Sequence, residues 1–535
     1  MAKLADVNTT DIRDGIRLGC QTMSRTFNAE DNDVPYQRNL VFDDARFVWV
    51  PRGDSHVPGR HLNALLRAEA VADITIDENA IEKHKHAAFF SYSGPVRLPL
   101  AREKRDGDLH ALFAHDIREG LHALYGLTRF RQCGKAEQLI SETIEAVFEH
   151  WDETHGWDVE QFEDKLGLRY QPKPFINELA RAIGPLVKIF ETIGLERALE
   201  LAIVLKEKAI RELFKEDGHH DKEAFYGHTH SITSTLSGLA QLAELTSDGE
   251  LFQRVEAFYN HGLWDIRDEI GWAIENVFND RDTDRGEGNT TADIIETALI
   301  LGRRGTTKYY EDAERMLRCH LLPSQLRDVS FISELPNPKD TDELRDVANR
   351  LQGSFGFPAP WGHIHLGSRQ KGFHGDIVGG VVDSLCAAHE EVARTDASGH
   401  WVNLHFDHKT NDIEIESPYT HEYLAVRVKN SKPLFVRIPS WMNRDSIQID
   451  DASVTPRFSN DYLFLSRPPA DRWIQIPRVR GGYRRFSGNR LLASPDLPNE
   501  GLPQLSRELR LLLCGPQREN RSRSRHAVAL VMQCL

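Results

Sequence analysis

Three aspartates at alternate positions, Asp280, Asp282 and Asp284, precede the stretch EGNTTADIIETALILGR. Carboxylates at positions 1, 3 and 5 begin an EF-hand calcium loop, which also needs Gly at position 6 and Glu at position 12. Those two positions hold Arg285 and Thr291. Calcium is therefore not favoured, and the stretch is either a solvated turn or part of an active-site loop.

A carboxyl and an amide, Glu287 and Asn289, lead from this stretch into an amphipathic helix. The N-terminus of a helix carries a partial positive charge and free N–H groups. We therefore expect Glu287 to face whatever cavity the start of that helix borders. The ordinary alternative is a solvent-exposed turn.

Two histidines, His228 and His230, stand at the predicted start of another helix in GHTHSIT. Residues at i and i+2 do not share a helical face, so the pair lacks the spacing of an HExxH zinc site. At a junction between loop and helix, both rings could hydrogen-bond sugar hydroxyls or a carboxylate. Surface or capping histidines are the alternative.

A third polar group lies in GDSHVPGRHLNALL, where His56 and Arg60 surround a Pro-Gly turn before a helix. A guanidinium can bind a carboxylate or neighbouring hydroxyls through two parallel hydrogen bonds. We therefore predict that His56 and Arg60 bind substrate.

The glycine-rich stretch FGFPAPWGHIHLGSRQKGFHGDIVGG also ends in a predicted helix, and it contains Trp361, His363, His374 and Asp376. Aromatic rings beside hydrogen-bonding side chains are typical of carbohydrate sites, because the C–H faces of sugars pack on rings. We predict these four residues as substrate ligands, although a histidine taken alone is more often structural.

Other chemistries have no motif in this chain. The sequence contains no GxxxxGK[ST] phosphate loop, no GxGxxG after a predicted strand and no GxSxG nucleophile elbow. Most nucleotide-dependent and serine-hydrolase functions are therefore not favoured.

The elements that must position these residues are mainly helices. From about residue 107 to 395, apolar residues recur at helical spacing, and the predicted helices form pairs joined by short polar links such as TSDGE and GRRGTT. Longer loops rich in Gly, His, Asp and Trp separate the pairs. This pattern predicts an (α/α)6 toroid, the six-hairpin barrel of glycosidases, over residues 1–398. An open helical-repeat scaffold is the alternative, but no fixed repeat length is present.

Short alternating segments follow the helices, including WVNLHF, DIEIES, EYLAVRVKN and PLFVRIPSW, then SIQID, YLFLSR and RWIQIP. Seven such segments predict an all-β sandwich over 399–479, which makes the fold class α+β and multidomain. Residues 480–535 are rich in Arg without Lys. We predict that this C-terminal segment is poorly ordered; the alternative is a basic tail that binds an anion.

Net charge, cysteine content and the N-terminal sequence predict the cellular compartment and the classes of partner. The 535 residues have a net charge of −15, which disfavours binding to nucleic acid or an anionic membrane. Six scattered cysteines without a CxxC pair predict reduced thiols. No basic stretch followed by an apolar run begins the sequence, so we expect a cytoplasmic protein, or a secreted one if a signal has been removed. A homodimer is an alternative to a monomer, since β-sandwich domains commonly make dimer contacts.

Several of these stretches, in their order along about 220–480, resemble one enzyme family. GHTHSITSTLSGLAQLAELTSDGELF, EGNTTADIIETALILGR, YYEDAERMLRCHLLPSQL, HGDIVGGVVDSL and PLFVRIPSW are similar to segments of the β-L-arabinofuranosidase-like glycoside hydrolases, family 127 and its relatives. The resemblance implies an (α/α)6 barrel followed by β-sandwich domains. It also implies a zinc ion held by one Glu and three Cys, with one of these Cys as the nucleophile.

The chain departs from that family at the metal. Glu287 matches the family's Glu, but Asn289, Phe373 and His374 stand where the three Cys are expected. We therefore expect no metal and no cofactor. Without a thiolate, glycosidases use two carboxyl groups. The candidates are Glu287, Glu275, Asp280 and Asp282, with Asn289 among the predicted substrate ligands and His228 at the family's Gly-His position.

We therefore predict a glycosidase that hydrolyses O-glycosyl bonds, exo-acting on a terminal sugar of a plant or algal oligosaccharide. A polysaccharide lyase or a sugar epimerase with the same toroid is one alternative. A non-catalytic glycan-binding relative is another, in which case loss of the carboxylates would leave binding intact.

Overall fold

The computed structural model describes residues 11–41, 45–279, 285–359, 373–421, 423–440, 442, 444, 447, 457–477, 485–487 and 490–492. The predicted site residues Asp280, Asp282, Trp361 and His363 lie outside these ranges. So do most of the predicted strand SIQID and most of the 480–535 segment.

The described residues contain twelve helices of nine residues or more, which we number along the chain. They are α1 Ile12–Met23, α2 Gly53–Ala72, α3 Glu78–Ser91, α4 Ile117–Arg131, α5 Gly134–His150, α6 Ile183–Ile193, α7 Glu196–Glu212, α8 Thr229–Thr246, α9 Gly249–Asn260, α10 Gly288–Arg303, α11 Lys308–Met316 and α12 Gly375–Val392. Two one-turn helices, Lys222–Phe225 and Val347–Leu351, lie in the connections.

The even-numbered helices form a closed inner ring. Each packs against the next, from α2 through α4, α6, α8 and α10 to α12, and α12 packs against α2. Each odd-numbered helix lies outside the ring on an inner partner, and α1 covers α12. The fold is therefore the predicted (α/α)6 toroid, and closure of the ring excludes the open scaffold.

Local sequence explains why links are short on one side of the toroid. Helix α8 ends at Thr246, Ser247 takes the left-handed conformation with φ of 55°, and the Asp248 side chain accepts hydrogen bonds from Glu250 N and Leu251 N at the start of α9. Asp and Ser favour such positions because their short polar side chains satisfy free backbone groups. The long loops consequently all lie on the other side, where the inner helices begin.

Short strands organise those long loops. They are β1 Phe27–Asn28, β2 Val34–Pro35, β3 Arg38–Leu40, β4 Arg46–Val48, β5 Leu100–Arg102, β6 Leu109–Leu112, β7 Trp151–Asp152, β8 Gly156–Trp157 and β9 Arg169–Tyr170. Single bridges add further ties, such as Arg38 to His374 and His228 to Asn276. Backbone pairing therefore fixes the segments that enter α8 and α12.

Two sheets follow α12 and pack on each other. One has the order β10–β11–β15–β17–β16, and the other has the order β12–β13–β14–β18. The strands are β10 Ala393–Thr395, β11 His400–Val402, β12 His408–Lys409, β13 Ile413–Glu416, β14 Tyr423–Val428, β15 Leu434–Arg437, β16 Arg457–Ser459, β17 Tyr462–Leu465 and β18 Trp473–Pro477. A separate hairpin joins β19 Arg485–Ser487 to β20 Arg490–Leu492.

Alternation along these strands places one side chain in two inside the sandwich. In β13, Ile413 and Ile415 are buried while Glu414 and Glu416 are partly exposed. Leu424 and Val436, from opposite sheets, belong to the same buried cluster, so the predicted all-β region is present. The exact boundaries at 398 and 479 stay predictions. Within the described ranges, no helix combines the length and apolar composition needed to cross a lipid bilayer.

Candidate active site

Polar side chains cluster where the six inner helices begin. They are His56 and Arg60 of α2, Asp116 and Glu119 at α4, Arg181 before α6, His228 and His230 at α8, Glu287 and Asn289 at α10, and His374 and Asp376 at α12. All six N-termini point to this face, and their partial positive charges favour anionic groups there.

Two close approaches between helix backbones shape this cluster. A Cβ at Gly59 of α2 would lie 1.9 Å from the carbonyl oxygen of Glu119 in α4. A Cβ at Gly379 of α12 would lie 2.5 Å from the carbonyl carbon of Arg60. Only glycine permits such contacts. These two glycines therefore let α4 and α12 pack against the helical turn of α2 that carries Arg60.

Glu287 lies at the centre of one wall as the residue preceding α10, with extended backbone and a buried side chain. Asn289 Nδ2 donates a hydrogen bond of 3.1 Å to Glu287 Oε1. His230 Nδ1 lies 3.4 Å from the same oxygen, and His228 Nε2 lies 3.9 Å from Oε2. Both carboxyl oxygens therefore face polar partners inside the pit.

The surroundings of Glu287 favour its protonated form. Burial raises the pKa of Glu287, and the negative charge of Asp376 raises it further, against the opposing charge of Arg60. A buried carboxyl with a raised pKa keeps its proton closer to neutral pH, which a general acid requires.

His230 joins Glu287 to a second buried carboxyl. Its Nε2 lies 3.3 Å from Asp293 Oδ2, and Thr233 donates a hydrogen bond of 3.0 Å to that same oxygen. Burial raises the pKa of Asp293 to about 7 and lowers that of His230 well below its ordinary value. Glu287, His230 and Asp293 therefore form a chain in which the imidazole is neutral.

The opposite wall holds a second chain of carboxylate, imidazole and carboxylate. His56 Nε2 lies 3.3 Å from Asp376 Oδ2, and its Nδ1 lies 2.8 Å from Asp116 Oδ1. Arg52 Nη2 and Ser55 Oγ each donate to Asp116 at 2.6 Å. His56 is thus oriented from both sides.

Both carboxyls of this second chain are ionised. Burial alone would raise the pKa of Asp116, but the charges of Arg52 and His56 outweigh it and lower the pKa to about 2. Burial likewise opposes ionisation of Asp376, yet the contact with His56 and the nearby His374 hold its pKa well below the ordinary value. Asp376 and Glu287 therefore have pKa values moved in opposite directions.

Three guanidinium groups converge on one carboxylate oxygen beneath these walls. Glu119 Oε1 accepts hydrogen bonds from Arg60 Nη2 at 3.0 Å, Arg118 Nη1 at 3.1 Å and Arg181 Nη2 at 2.9 Å. Burial would raise the pKa of Glu119, but the charges of Arg181 and Arg60 hold it well below its ordinary value. We call Glu119, Arg60, Arg118 and Arg181 the arginine cluster.

An arc of imidazoles completes the pit. Ring centres are separated by 5.5 Å for His56 and His115, 5.7 Å for His115 and His228, and 6.0 Å for His228 and His230. Burial and the positive charge of Arg181 lower the pKa of both His115 and His228. His115 Nδ1 lies 2.7 Å from the carbonyl oxygen of Asn177, so this nitrogen donates and Nε2 is left to accept.

The positions that the family resemblance matches to the zinc-binding cysteines hold Asn289, Phe373 and His374 here, and none of these side chains carries a thiol. Cys386, in α12, is buried, and burial raises the pKa of its thiol well above the ordinary value. The donors around Glu287 are instead imidazoles: His228, His230 and Glu287 offer ligand atoms within 4.8 Å of one another. Nitrogen and oxygen ligands of this kind could hold a divalent ion, and His56, His115 and Asp116 form a second such group.

Eight of the predicted site residues converge at this pit: Glu287, Asn289, His228, His230, His56, Arg60, His374 and Asp376. Glu275 is placed differently, because its Oε2 lies 2.9 Å from Arg285 Nε and its backbone supports the start of α8. Asp280, Asp282, Trp361 and His363 fall in the undescribed part of the chain.

The sequence reasoning missed another group of polar side chains: Arg52, His115, Asp116, Arg118, Glu119, Arg181 and Asp293. A usable signal was present for the pair His115 and Asp116, which precede α4 as His228 precedes α8 and His374 precedes α12. Treating the start of every predicted inner helix alike would have found them.

Several solved structures are similar to this chain in fold. A family 127 β-arabinofuranosidase is similar with a TM-score of 0.53 and 13% identity, over 89% of this chain and 80% of that one. A glycoside hydrolase gives 0.50 and 12%, over 78% and 71%. A family 127 β-L-arabinofuranosidase from Geobacillus stearothermophilus T6 gives 0.49 and 12%, over 78% and 71%.

The chain has the fold of the first two of these proteins. At 12–13% identity the likeness concerns the fold alone. No protein-family profile matches the sequence, and no curated protein does. Arguments about activity therefore rest on the side chains of the pit.

Proposed function

We propose that this protein is a glycoside hydrolase that removes a terminal sugar from an oligosaccharide, with Glu287 as the proton donor and Asp376 as the ionised carboxylate. One observation carries this proposal: the pit contains two carboxyl groups whose pKa values are moved apart, upward for Glu287 and downward for Asp376. Such a pair can divide the acid and base roles of glycoside hydrolysis.

In this mechanism Glu287 gives its proton to the glycosidic oxygen as the bond to the anomeric carbon breaks. Asp376 stabilises the positive charge that develops on the sugar and either attacks the anomeric carbon or takes a proton from the attacking water. If Asp376 attacks, Glu287 then takes a proton from water, and the hydroxyl displaces Asp376 from the anomeric carbon. If Asp376 instead takes the proton from water, the hydroxyl adds directly to the anomeric carbon, and the proton passes from Asp376 through solvent back to Glu287. His56 and Asp116 hold Asp376 in place during this step.

The shape of the site supports action at a chain end. The pit is bordered by the starts of six inner helices that close into a ring, and a site enclosed by such a ring suits the end of a glycan chain better than its middle. As first substrates we choose terminal arabinofuranosides of plant or algal oligosaccharides, because a structure with this fold is a β-arabinofuranosidase.

The direct test is a screen of the purified protein against aryl glycosides and oligosaccharides, with Glu287→Gln and Asp376→Asn beside the wild type. Loss of a general acid or an ionised partner lowers kcat about 100- to 10,000-fold. Glu275→Gln is the matched control, since it removes a nearby carboxyl that pairs with Arg285, and it should retain activity within about threefold. Full activity of Glu287→Gln would refute the assignment.

The same screen addresses metal and stereochemistry. Turnover that survives a chelator supports the carboxyl mechanism, and turnover abolished by a chelator assigns a metal to the pit instead. The NMR signal of the first-formed product anomer separates attack by Asp376, which retains configuration, from activation of water, which inverts it.

A sugar epimerase is the second candidate, and the two neutral imidazoles of His115 and His228 favour it specifically. A neutral histidine such as His115 can remove the proton from a sugar carbon beside a carbonyl group, and the imidazolium formed can return a proton to the other face of that carbon. Incubation of free sugars in D2O distinguishes the two functions: an epimerase incorporates deuterium at a sugar carbon without releasing a new sugar, whereas a hydrolase does not.

A further inference from the structure

Two exposed aromatic side chains lie beside the pit and take no part in the chemistry described so far. Tyr226 is 56% exposed and Phe278 is 49% exposed. Large apolar side chains are prominently exposed at only four other positions of the described ranges, namely Val159, Ile203, Phe331 and Phe458. Paired aromatics beside a cluster of buried polar side chains are the kind of exposed apolar surface that marks a binding site.

The backbone ties both residues to His228. His228 and Asn276 form an antiparallel bridge, Val277 N donates to Gly227 O at 3.0 Å, and Thr229 N donates to the carbonyl of Glu275 at 2.9 Å. Continuing this register places Tyr226 opposite Phe278. The two aromatics therefore occupy corresponding positions on neighbouring segments at the rim.

The ring of Phe278 and the backbone at Tyr226 are both constrained. A Cβ at Gly227 would lie 2.6 Å from Phe278 Cδ2, so the ring rests on the glycine backbone. Tyr226 has φ of 61° and Gly227 has φ of 63°. A left-handed conformation is unfavourable for a bulky residue such as Tyr, and Asn or Gly tolerates it better. The backbone of Tyr226 caps the one-turn helix Lys222–Phe225, with its N–H donating to Lys222 O, but this role does not require an exposed aromatic ring.

We infer that Tyr226 and Phe278 form a subsite for the sugar unit that follows the scissile bond, which they bind by packing against its apolar C–H face. This inference rests on the proposed hydrolase function. Only Gly227 separates Tyr226 from His228 along the chain, so the aromatic pair lies directly beside a residue of the pit. Tyr and Phe rings are large rigid surfaces suited to such contacts.

The test compares two substrates of the full-length protein: an oligosaccharide that reaches the subsite and the methyl glycoside of the same terminal sugar, which does not. The variants are Tyr226→Asn, chosen because Asn accepts the left-handed conformation, Phe278→Ala, and the double variant. Phe458→Ala removes an exposed aromatic of the β-sandwich and is the matched control.

We expect each rim variant to lower kcat/KM for the oligosaccharide about 2- to 12-fold, since an aromatic packing contact contributes about 0.5–1.5 kcal/mol. The methyl glycoside and the Phe458→Ala control should stay within about twofold of wild type. Equal losses on both substrates, or no loss on either, would overturn the subsite and leave the hydrolase standing. A wild type that hydrolyses neither substrate would remove the hydrolase proposal and the subsite with it.

Discussion

Replacing Glu119 by Gln tests whether the arginine cluster is held together by charge. The carboxylate is fully buried, and Arg60 and Arg181 have side chains no more than 3% exposed. The variant keeps the shape of the side chain but leaves three guanidinium groups beside a neutral amide. Removing one partner of a buried ion pair costs about 3–5 kcal/mol, because the remaining charge stays uncompensated.

Three cations share this one anion, so we expect Glu119→Gln to lower the free energy of unfolding by about 4–5 kcal/mol, the upper end of that range. Urea unfolding followed by tryptophan fluorescence measures it. A slope of roughly 4 kcal/mol per molar, reasonable for a chain of this size, converts the loss into a midpoint lowered by about 1 M. Glu145→Gln is the matched control, because its partner Arg197 is on the surface and exposed pairs contribute little.

The pH dependence of the same experiment has a definite sign. The folded-state pKa of Glu119 lies below the ordinary value of 4.5. Its contribution is therefore complete above about pH 4.5 and is lost only as the pH falls through the lower folded value. The midpoint difference between wild type and Glu119→Gln should stay constant from about pH 5 to 8 and shrink in acid. A midpoint for Glu119→Gln as high as that of Glu145→Gln would refute the reasoning.

Three further outcomes are expected. Asp293→Asn should gain stability over the wild type as the pH rises from about 4 to 7, because the carboxyl ionises near pH 3.8 in the unfolded chain but keeps its proton up to about pH 7 in the folded one. A midpoint difference that does not change with pH would contradict this. The kcat/KM of the wild type should fall as the pH rises through the raised pKa of Glu287. Because the pKa of Asp376 is low, kcat/KM should fall on the acid side only in strongly acidic solutions. A pH optimum above about 9 would exclude Glu287 as the acid. Iodoacetamide should leave activity unchanged, and Cys386→Ala should keep it within about twofold, since this thiol is buried with a raised pKa; rapid inactivation prevented by Cys386→Ala would point back to a thiolate mechanism.

The parts of the fold that depend on local sequence were predictable. The Ser247–Asp248 link and the alternation of Ile413 and Ile415 are visible in a few residues. The carboxyl and imidazole groups found from sequence, such as Glu287 and His228, stand directly before a helix, where a turn must end and polar residues are informative.

The residues that escaped prediction depend on closure of the ring. Asp293 and Glu119 lie within helices, and their helical spacing does not distinguish the face that lines the lumen from the face that meets solvent. Arg181 belongs to a short 3-10 segment, Leu179–Ala182, without strong periodicity. Glu275 was plausible by type, but its pairing with Arg285 depends on how the loop folds back.

The position of α1 has a consequence for how the protein is made. Helix α1 covers α12, the last inner helix, about 350 residues later in the chain, and Gly19 of α1 lies directly against Val382 of α12. At a synthesis rate of about 5–20 residues per second, the apolar face of α1 waits roughly 20–70 s for its partner. Contacts of such long range form slowly. The ring, and the polar pit that all six inner helices build, can therefore be completed only after Val392, the end of α12, has been synthesised.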